Sequence, residues 1–349
     1  LRIAAAVAGR KPWTNGPIVE VQHQARRSAM TEKAPAADKT EALATLLTAM
    51  PETAAIVSAV LAVWPDHAAY LLKSFSARSP ALLAATEVAS TAARKLMAGN
   101  EARFATGYKW TCDQLRDEEI FFHREGRYRL STFAEAWAEV YSNHEYMAPY
   151  VDGLLLSQIL WYNHVGTFEM FLDRVLGAAT APFDYLEIGP GHGLMVYLAA
   201  QSPLARTLAA WDVSSVSLHE TRAALDTLGV TRPVALVEVD ILQAAAPDRQ
   251  YDLIVISEVL EHLETPAVAL AFLRKALRPE GRIFINVPLN SPSPDHIYLF
   301  SAPDELVAMV ESAGFRVVAT EMFATQGRKL ESAIANRISV STGIIAVPA

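Results

Sequence analysis

The sequence predicts an α/β protein, a doubly wound parallel sheet preceded by a mainly helical domain. Three observations predict it. From about residue 185 short apolar strands alternate with helical stretches, the signature of a sheet with helices on both faces. The first of those strands runs into a turn with three glycines in five residues, Gly189-Pro190-Gly191-His192-Gly193. Before residue 165 the chain is rich in Ala and Leu, with apolar residues three and four apart, as an amphipathic helix requires.

Composition sets the limits. The chain has 349 residues, 52% hydrophobic and 19% charged, enough for two cores and too apolar for disorder. Thirty Lys+Arg against thirty-eight Asp+Glu leave a charge of −8, which disfavours nucleic acid and anionic membranes as partners, since both need a positive field. A small-molecule partner is expected. One cysteine, Cys112, allows neither an intrachain disulfide nor a Cys-rich zinc site, so a cytoplasmic setting is expected and any metal needs His and carboxylate ligands. No stretch of about 18 apolar residues is present, so no membrane span is expected. The apolar opening, Leu1 to Gly9, has no basic region ahead of it and ends at Arg10 and Lys11. It reads poorly as a secretory signal.

The elements follow in order. Residues 1–38 read as a flexible tail and 39–165 as a helical domain, a substrate lid or dimerisation unit. Within it Thr40 to Thr106 is helical, with Leu43, Leu46 and Leu47 and then Ile56, Val60 and Val63 in register. Ile120-Phe121-Phe122-His123 and Tyr128-Arg129-Leu130 flank Glu125-Gly126, which predicts a small β-hairpin, the wing of a winged-helix unit. Helices are predicted over Thr132–Ser142 and Pro149–Leu176. Residues 166–349 form the second domain, with strands at 185–188, 207–211, 234–239, 253–256, 281–287, 315–322 and 340–347. Helices are expected at 194–200, 217–228, up to 277, and 303–313, and the last two strands place an antiparallel edge on the sheet.

Glycines at the first strand exit let a ligand approach a helix N-terminus, although ordinary tight turns look alike. The spacing is G-x-G-x-G, which disfavours a nicotinamide dinucleotide. Glu187, two residues earlier, would repel a pyrophosphate and suits a cation, such as a sulfonium bearing an amino group. Asp212 ends the second strand, where a carboxylate can accept ribose hydroxyls, and Asp240 ends the third, where it can accept an adenine amino group. Either could instead cap a turn. Together the three acids stand at consecutive strand exits, where open α/β sheets bind ligands.

With Tyr251-Asp252-Leu253-Ile254, these residues resemble the class I S-adenosylmethionine-dependent methyltransferases, a Rossmann-like fold, over about residues 165 to 349. The resemblance implies cofactor contacts from Glu187, Gly189, Gly191, Gly193, Asp212, Val213, Asp240, Ile241, Ser257 and Glu258.

The fourth strand is followed by Glu258-Val259-Leu260-Glu261-His262, whose spacing puts Glu258, Glu261 and His262 on one helical face. The same run occurs in methyltransferases without a metal. His296 lies in the loop after the fifth strand, and neighbouring strand exits would bring it close. A metal site from Glu261, His262 and His296, suited to Zn, Fe or Mn, is expected, with Glu258 as a further ligand or supporting group. This arrangement resembles the metal-dependent small-RNA 2′-O-methyltransferases, although the acidic charge disfavours RNA as acceptor. The N-terminal layout, the segment Asn143-His144 through Asn163-His164, and the tail around Gly327-Arg328-Lys329 resemble bacterial methyltransferases of the ketoarginine and indolepyruvate type, which methylate the β-carbon of 2-oxo acids. That resemblance implies C-methylation through a metal-stabilised enolate, with His164, His144 or Glu258 as catalytic groups. The alternatives are a metal-independent O- or N-methyltransferase for a small acceptor, and a non-catalytic winged-helix binding or assembly protein. The apolar N-terminal helices lead to the expectation of a homodimer.

Overall fold

A computed structural model describes residues 36–244, 247 and 249–349. Residues 1–35 of the expected tail lie outside the described residues, while 36–38 already belong to helix α1 (Ala36–Leu46). Four helices follow: α2 (Pro51–Val63), α3 (Ala68–Ser76), α4 (Pro80–Met97) and α5 (Glu101–Glu125). Ser79 shows how such a start is encoded: its hydroxyl accepts the Leu82 amide at 3.3 Å, and Pro80 occupies the first turn, where no amide partner is needed.

The hairpin expected around residues 120–130 is not formed. Helix α5 runs on through Ile120-Phe121-Phe122-His123, and Gly126, at φ 76°, is its left-handed C-cap, donating to the Phe122 carbonyl at 2.8 Å. The aromatic pair that suggested a strand finds partners on the helix faces instead. Phe122 is buried beneath the Arg337 guanidinium, 4.4 Å from its ring, and Phe121 lies 4.4 Å from that of Arg129. The winged-helix reading loses its basis with the wing.

Next come α6 (Phe133–Ala136), a π turn (Trp137–Tyr141), α7 (His144–Leu160) and α8 (Tyr162–Met170). Thr132 and Glu135 close a capping box at the start of α6, each side chain taking the other's backbone amide. The single helix expected over 149–176 is broken at Trp161, which is extended (ψ 128°), and ends in a π turn at Phe171–Leu176. Among the described residues no helix is long and apolar enough to cross a membrane.

Among the described residues seven strands form one sheet in the order β3-β2-β1-β4-β5-β7-β6. They are β1 (Phe183–Ile188), β2 (Ala205–Asp212), β3 (Val234–Glu238), β4 (Tyr251–Ser257), β5 (Leu277–Leu289), β6 (Phe315–Ala324) and β7 (Val340–Pro348). The first five are parallel, and β7 runs antiparallel to both β5 and β6, as the sequence led us to expect. Side chains alternate between two cores. Tyr185, Leu208, Val255 and Phe284 share one with the N-terminal helices, while Leu186, Ala209, Ile254 and Ile285 face α11 (Pro266–Ala276) and α12 (Pro303–Ser312). Helix α8 lies close on the sheet because Gly343 leaves room: a Cβ there would stand 2.6 Å from Met170 Sδ.

Candidate active site

The glycine turn joins β1 to α9 (Leu194–Gln201), with Gly189, Gly191 and Gly193 all at positive φ (64°, 50° and 71°). They differ in surroundings. A Cβ on Gly189 would meet Val259 Cγ2 at 2.6 Å, whereas one on Gly191 would enter open space, as expected where a ligand approaches the backbone. Glu187 lies buried beneath the turn, accepting the Tyr185 hydroxyl at 2.9 Å and held also by the Val196 amide. Burial pushes its carboxyl up to about 8. A nearby cation would draw it back towards the charged form.

Asp212, at the end of β2, accepts the Ser214 amide at 2.9 Å and the Ser217 hydroxyl at 3.0 Å, which hold it at the start of α10 (Ser215–Thr227). Burial raises its carboxyl despite those bonds. Val213 beside it is 51% exposed, an apolar surface at the strand exit. Asp240 is exposed and accepts the Leu242 amide at 2.9 Å, which caps its own turn, and Ile241 is buried. The Ser257 hydroxyl accepts Asn286 Nδ2 at 3.0 Å, and Glu258 Oε1 accepts the same amide at 2.9 Å.

The run after β4 is not the continuous helix that its spacing suggested. Glu258 has φ 54°, and only Leu260–His262 makes a short 3₁₀ turn, so Glu258 shares no helical face with Glu261 and His262. It turns towards β5, while burial raises its carboxyl to about 7. Glu261, His262 and His296 do meet: one ligand atom from each lies within 4.8 Å of the others. Both imidazoles are oriented from behind. His262 Nδ1 lies 3.0 Å from the Asp295 carbonyl and His296 Nδ1 2.6 Å from the Ser291 carbonyl. Carbonyls only accept, so both Nδ1 atoms carry hydrogen, and Nε2 is the atom of each ring that can offer a lone pair.

Those Nε2 atoms stand 3.8 and 4.0 Å from Glu261 Oε1. Glu261 is fully buried, and among the described residues neither of its oxygens has a hydrogen-bond partner. Two imidazole lone pairs and one carboxyl thus converge, and metal–ligand bonds of about 2.1 Å span separations of this order. The donor set fits a divalent ion. Burial keeps His296 neutral by lowering it to about 4, while burial and the neighbouring carboxylate of Glu258 raise Glu261 well above the usual range.

His164 is buried on α8, its Nδ1 3.3 Å from both Ser157 Oγ and Gln158 Nε2, and burial lowers it to about 4. It is near enough to His296 for the two imidazoles to influence each other electrostatically. His144 begins α7, and its side chain lies outside the described residues. Sequence reasoning missed two groups: Tyr141, whose hydroxyl reaches His262, and Asp295, present in the loop but given no role. Their only sequence signals were an aromatic in a short helix and an acid next to a candidate ligand.

The sheet order and the glycine turn after the first strand are those of a Rossmann-like α/β fold, the fold class the sequence predicts. Residues 166–320 match the family described as methyltransferase domain. The chain is 31% identical over 112 residues to the ubiquinone biosynthesis O-methyltransferase of Caulobacter vibrioides, a match covering 31% of this chain and 43% of that protein. It therefore spans less than half the length of this curated relative. Similar solved structures include an S-adenosylmethionine-dependent methyltransferase from Aquifex aeolicus (18% identity, TM-score 0.37, covering 48% of this chain and 84% of the other). Another is a TehB-like methyltransferase from Corynebacterium glutamicum (15% identity, TM-score 0.37, covering 49% and 83%).

Proposed function

We propose that the protein transfers a methyl group from S-adenosylmethionine to the β-carbon of a small 2-oxo acid held beside Glu261, His262 and His296. The observation that carries this reading is the unpartnered, buried Glu261 carboxylate between two imidazoles whose Nδ1 atoms are already committed. A divalent ion held by these three residues would supply Lewis acidity towards the keto and carboxylate oxygens of the acceptor, favouring an electron-rich neighbouring carbon. Asp212 would accept the ribose hydroxyls, the open space at Gly191 would receive the cofactor's amino-acid end, and Glu187 beneath the turn would favour its positive charge. His164, kept unprotonated by burial, would take the proton leaving the β-carbon. Segment 133–160 would cover the acceptor and exclude water, and holding acceptor and methyl donor together would supply much of the rate.

The relative's name favours a second reading, methyl transfer to an oxygen of a small acceptor. Methyl-labelled cofactor, supplied with a panel of 2-oxo acids and catechols, separates the two. Label on carbon, lost with a chelator and restored by Mn²⁺, Fe²⁺ or Zn²⁺, supports the first reading. Label on oxygen, unaffected by chelator, replaces it with the second.

A further inference from the structure

The lid turn reaches the donor set through a single side chain. Tyr141, the last residue of the π turn, places its hydroxyl 3.1 Å from His262 Nδ1 and 3.2 Å from Asp295 Oδ2. Since Nδ1 carries hydrogen, the phenol oxygen shares that N–H with the Asp295 carbonyl, and the phenol O–H goes to the carboxylate. The Tyr150 and Ser293 hydroxyls approach Oδ1 at 2.7 and 2.8 Å. One carboxylate thus joins two tyrosines of the covering segment to the loop that carries His296.

His262 is the imidazole with room to turn, its side chain 22% exposed against 8% for His296. The π turn inserts the extra backbone that carries Tyr141 to it. The lid is anchored on the far side too, where the Phe133 amide donates to Glu264 at 2.9 Å, two residues beyond His262.

We propose that Tyr141 is a positioning residue which, with Asp295, fixes the His262 ring, so that Glu261, His262 and His296 capture a divalent ion only when the lid turn is docked. The proposal rests on the metal reading above. It adds that the N-terminal part of the chain helps build the centre it covers. Partners behind a metal-bound imidazole fix its ring, and losing one costs about 10- to 100-fold in metal affinity.

The test titrates the full chain, free of cofactor and acceptor, with Co²⁺ and follows visible absorbance, for the wild type and the variants Tyr141→Phe, Glu264→Ala and His262→Ala. Glu264→Ala loosens the lid without touching either imidazole. The expected result is stoichiometric binding by the wild type, none by His262→Ala, and at least about 10-fold weaker binding by Tyr141→Phe and Glu264→Ala. Metal-free melting temperatures should stay unchanged, and Co²⁺ should protect segment 131–143 from protease only in the wild type. Wild-type affinity in Tyr141→Phe and Glu264→Ala overturns the proposal while leaving the metal reading intact. Failure of the wild type itself to bind Co²⁺ overturns the metal reading, and this inference with it.

Discussion

The main-chain carbonyl of Glu261 accepts the amides of Ile297 and Tyr298, at 3.0 and 2.9 Å. Two loops from neighbouring strand exits are therefore stitched together by backbone, whatever occupies the space between their side chains. The metal-free protein should accordingly keep its fold. After chelator treatment, circular dichroism should be unchanged and turnover lost. The melting temperature should fall only by what binding contributed, about 2.7 kcal/mol at a hundredfold excess over Kd. Global unfolding on chelation would show that the site is held by the metal and not by the chain.

Ion capture should release a proton at neutral pH. Burial and Glu258 raise Glu261, which favours its protonated form in the metal-free protein, while His296, lowered to about 4, has no proton to give. An indicator dye in weak buffer at pH 7 should register acid when Zn²⁺ is added to the wild type. Glu261→Gln, with no proton to lose, should bind the ion at least about 10-fold more weakly, release less acid and lose turnover. Full proton release from this variant would assign the proton elsewhere.

Glu187 should make stability depend on pH. Its carboxyl lies near 8 in the fold and near 4.5 in the unfolded chain, so between those values the folded state binds the extra proton. Stability contributed by this residue is then greatest below about 4.5 and declines as pH rises towards 8, by on the order of 2–4 kcal/mol. Urea titrations at pH 5.5, 7 and 8 should show the decline. Glu187→Gln should flatten it, and an unchanged slope in that variant would place the ionisation elsewhere.

Two alanine substitutions in the glycine turn should part company. Gly189→Ala meets Val259 Cγ2 and should destabilise by about 2 kcal/mol or more. Gly191→Ala meets nothing, so its cost is the strain of positive φ, about 1 kcal/mol. Its main effect should be on the cofactor, raising its KM about 10-fold or more while kcat changes less. Calorimetry and steady-state kinetics on both variants test this, and equal cofactor affinity in wild type and Gly191→Ala would remove the ligand from that space.

Much of the sheet was legible because the central strands β1 and β4 are apolar on both faces and the exits of β1 to β4 carry a glycine or an acid. Leu186 and Ile188 serve one core and Tyr185 the other, and such a pattern survives without knowledge of the fold. Glu258 was misread for a local reason: spacing alone does not reveal a left-handed residue, and a single φ of 54° dissolves the helical face that the spacing described. The run at 120–123 was misread for the opposite reason, its aromatics being satisfied by guanidinium groups that a strand pattern does not include. Tyr141 stands 121 positions from His262. No local pattern relates the two.

The place of β7 has a consequence during synthesis. Although last of the seven to leave the ribosome, it lies between β5 and β6 and pairs with both. Until Val340–Pro348 emerges, two rows of unpaired amides and carbonyls face solvent, one of them on the strand that leads to His296. A nascent chain in that condition is a template for pairing with its neighbours, so truncation or stalling shortly before residue 340 should yield aggregates before it yields a merely inactive enzyme.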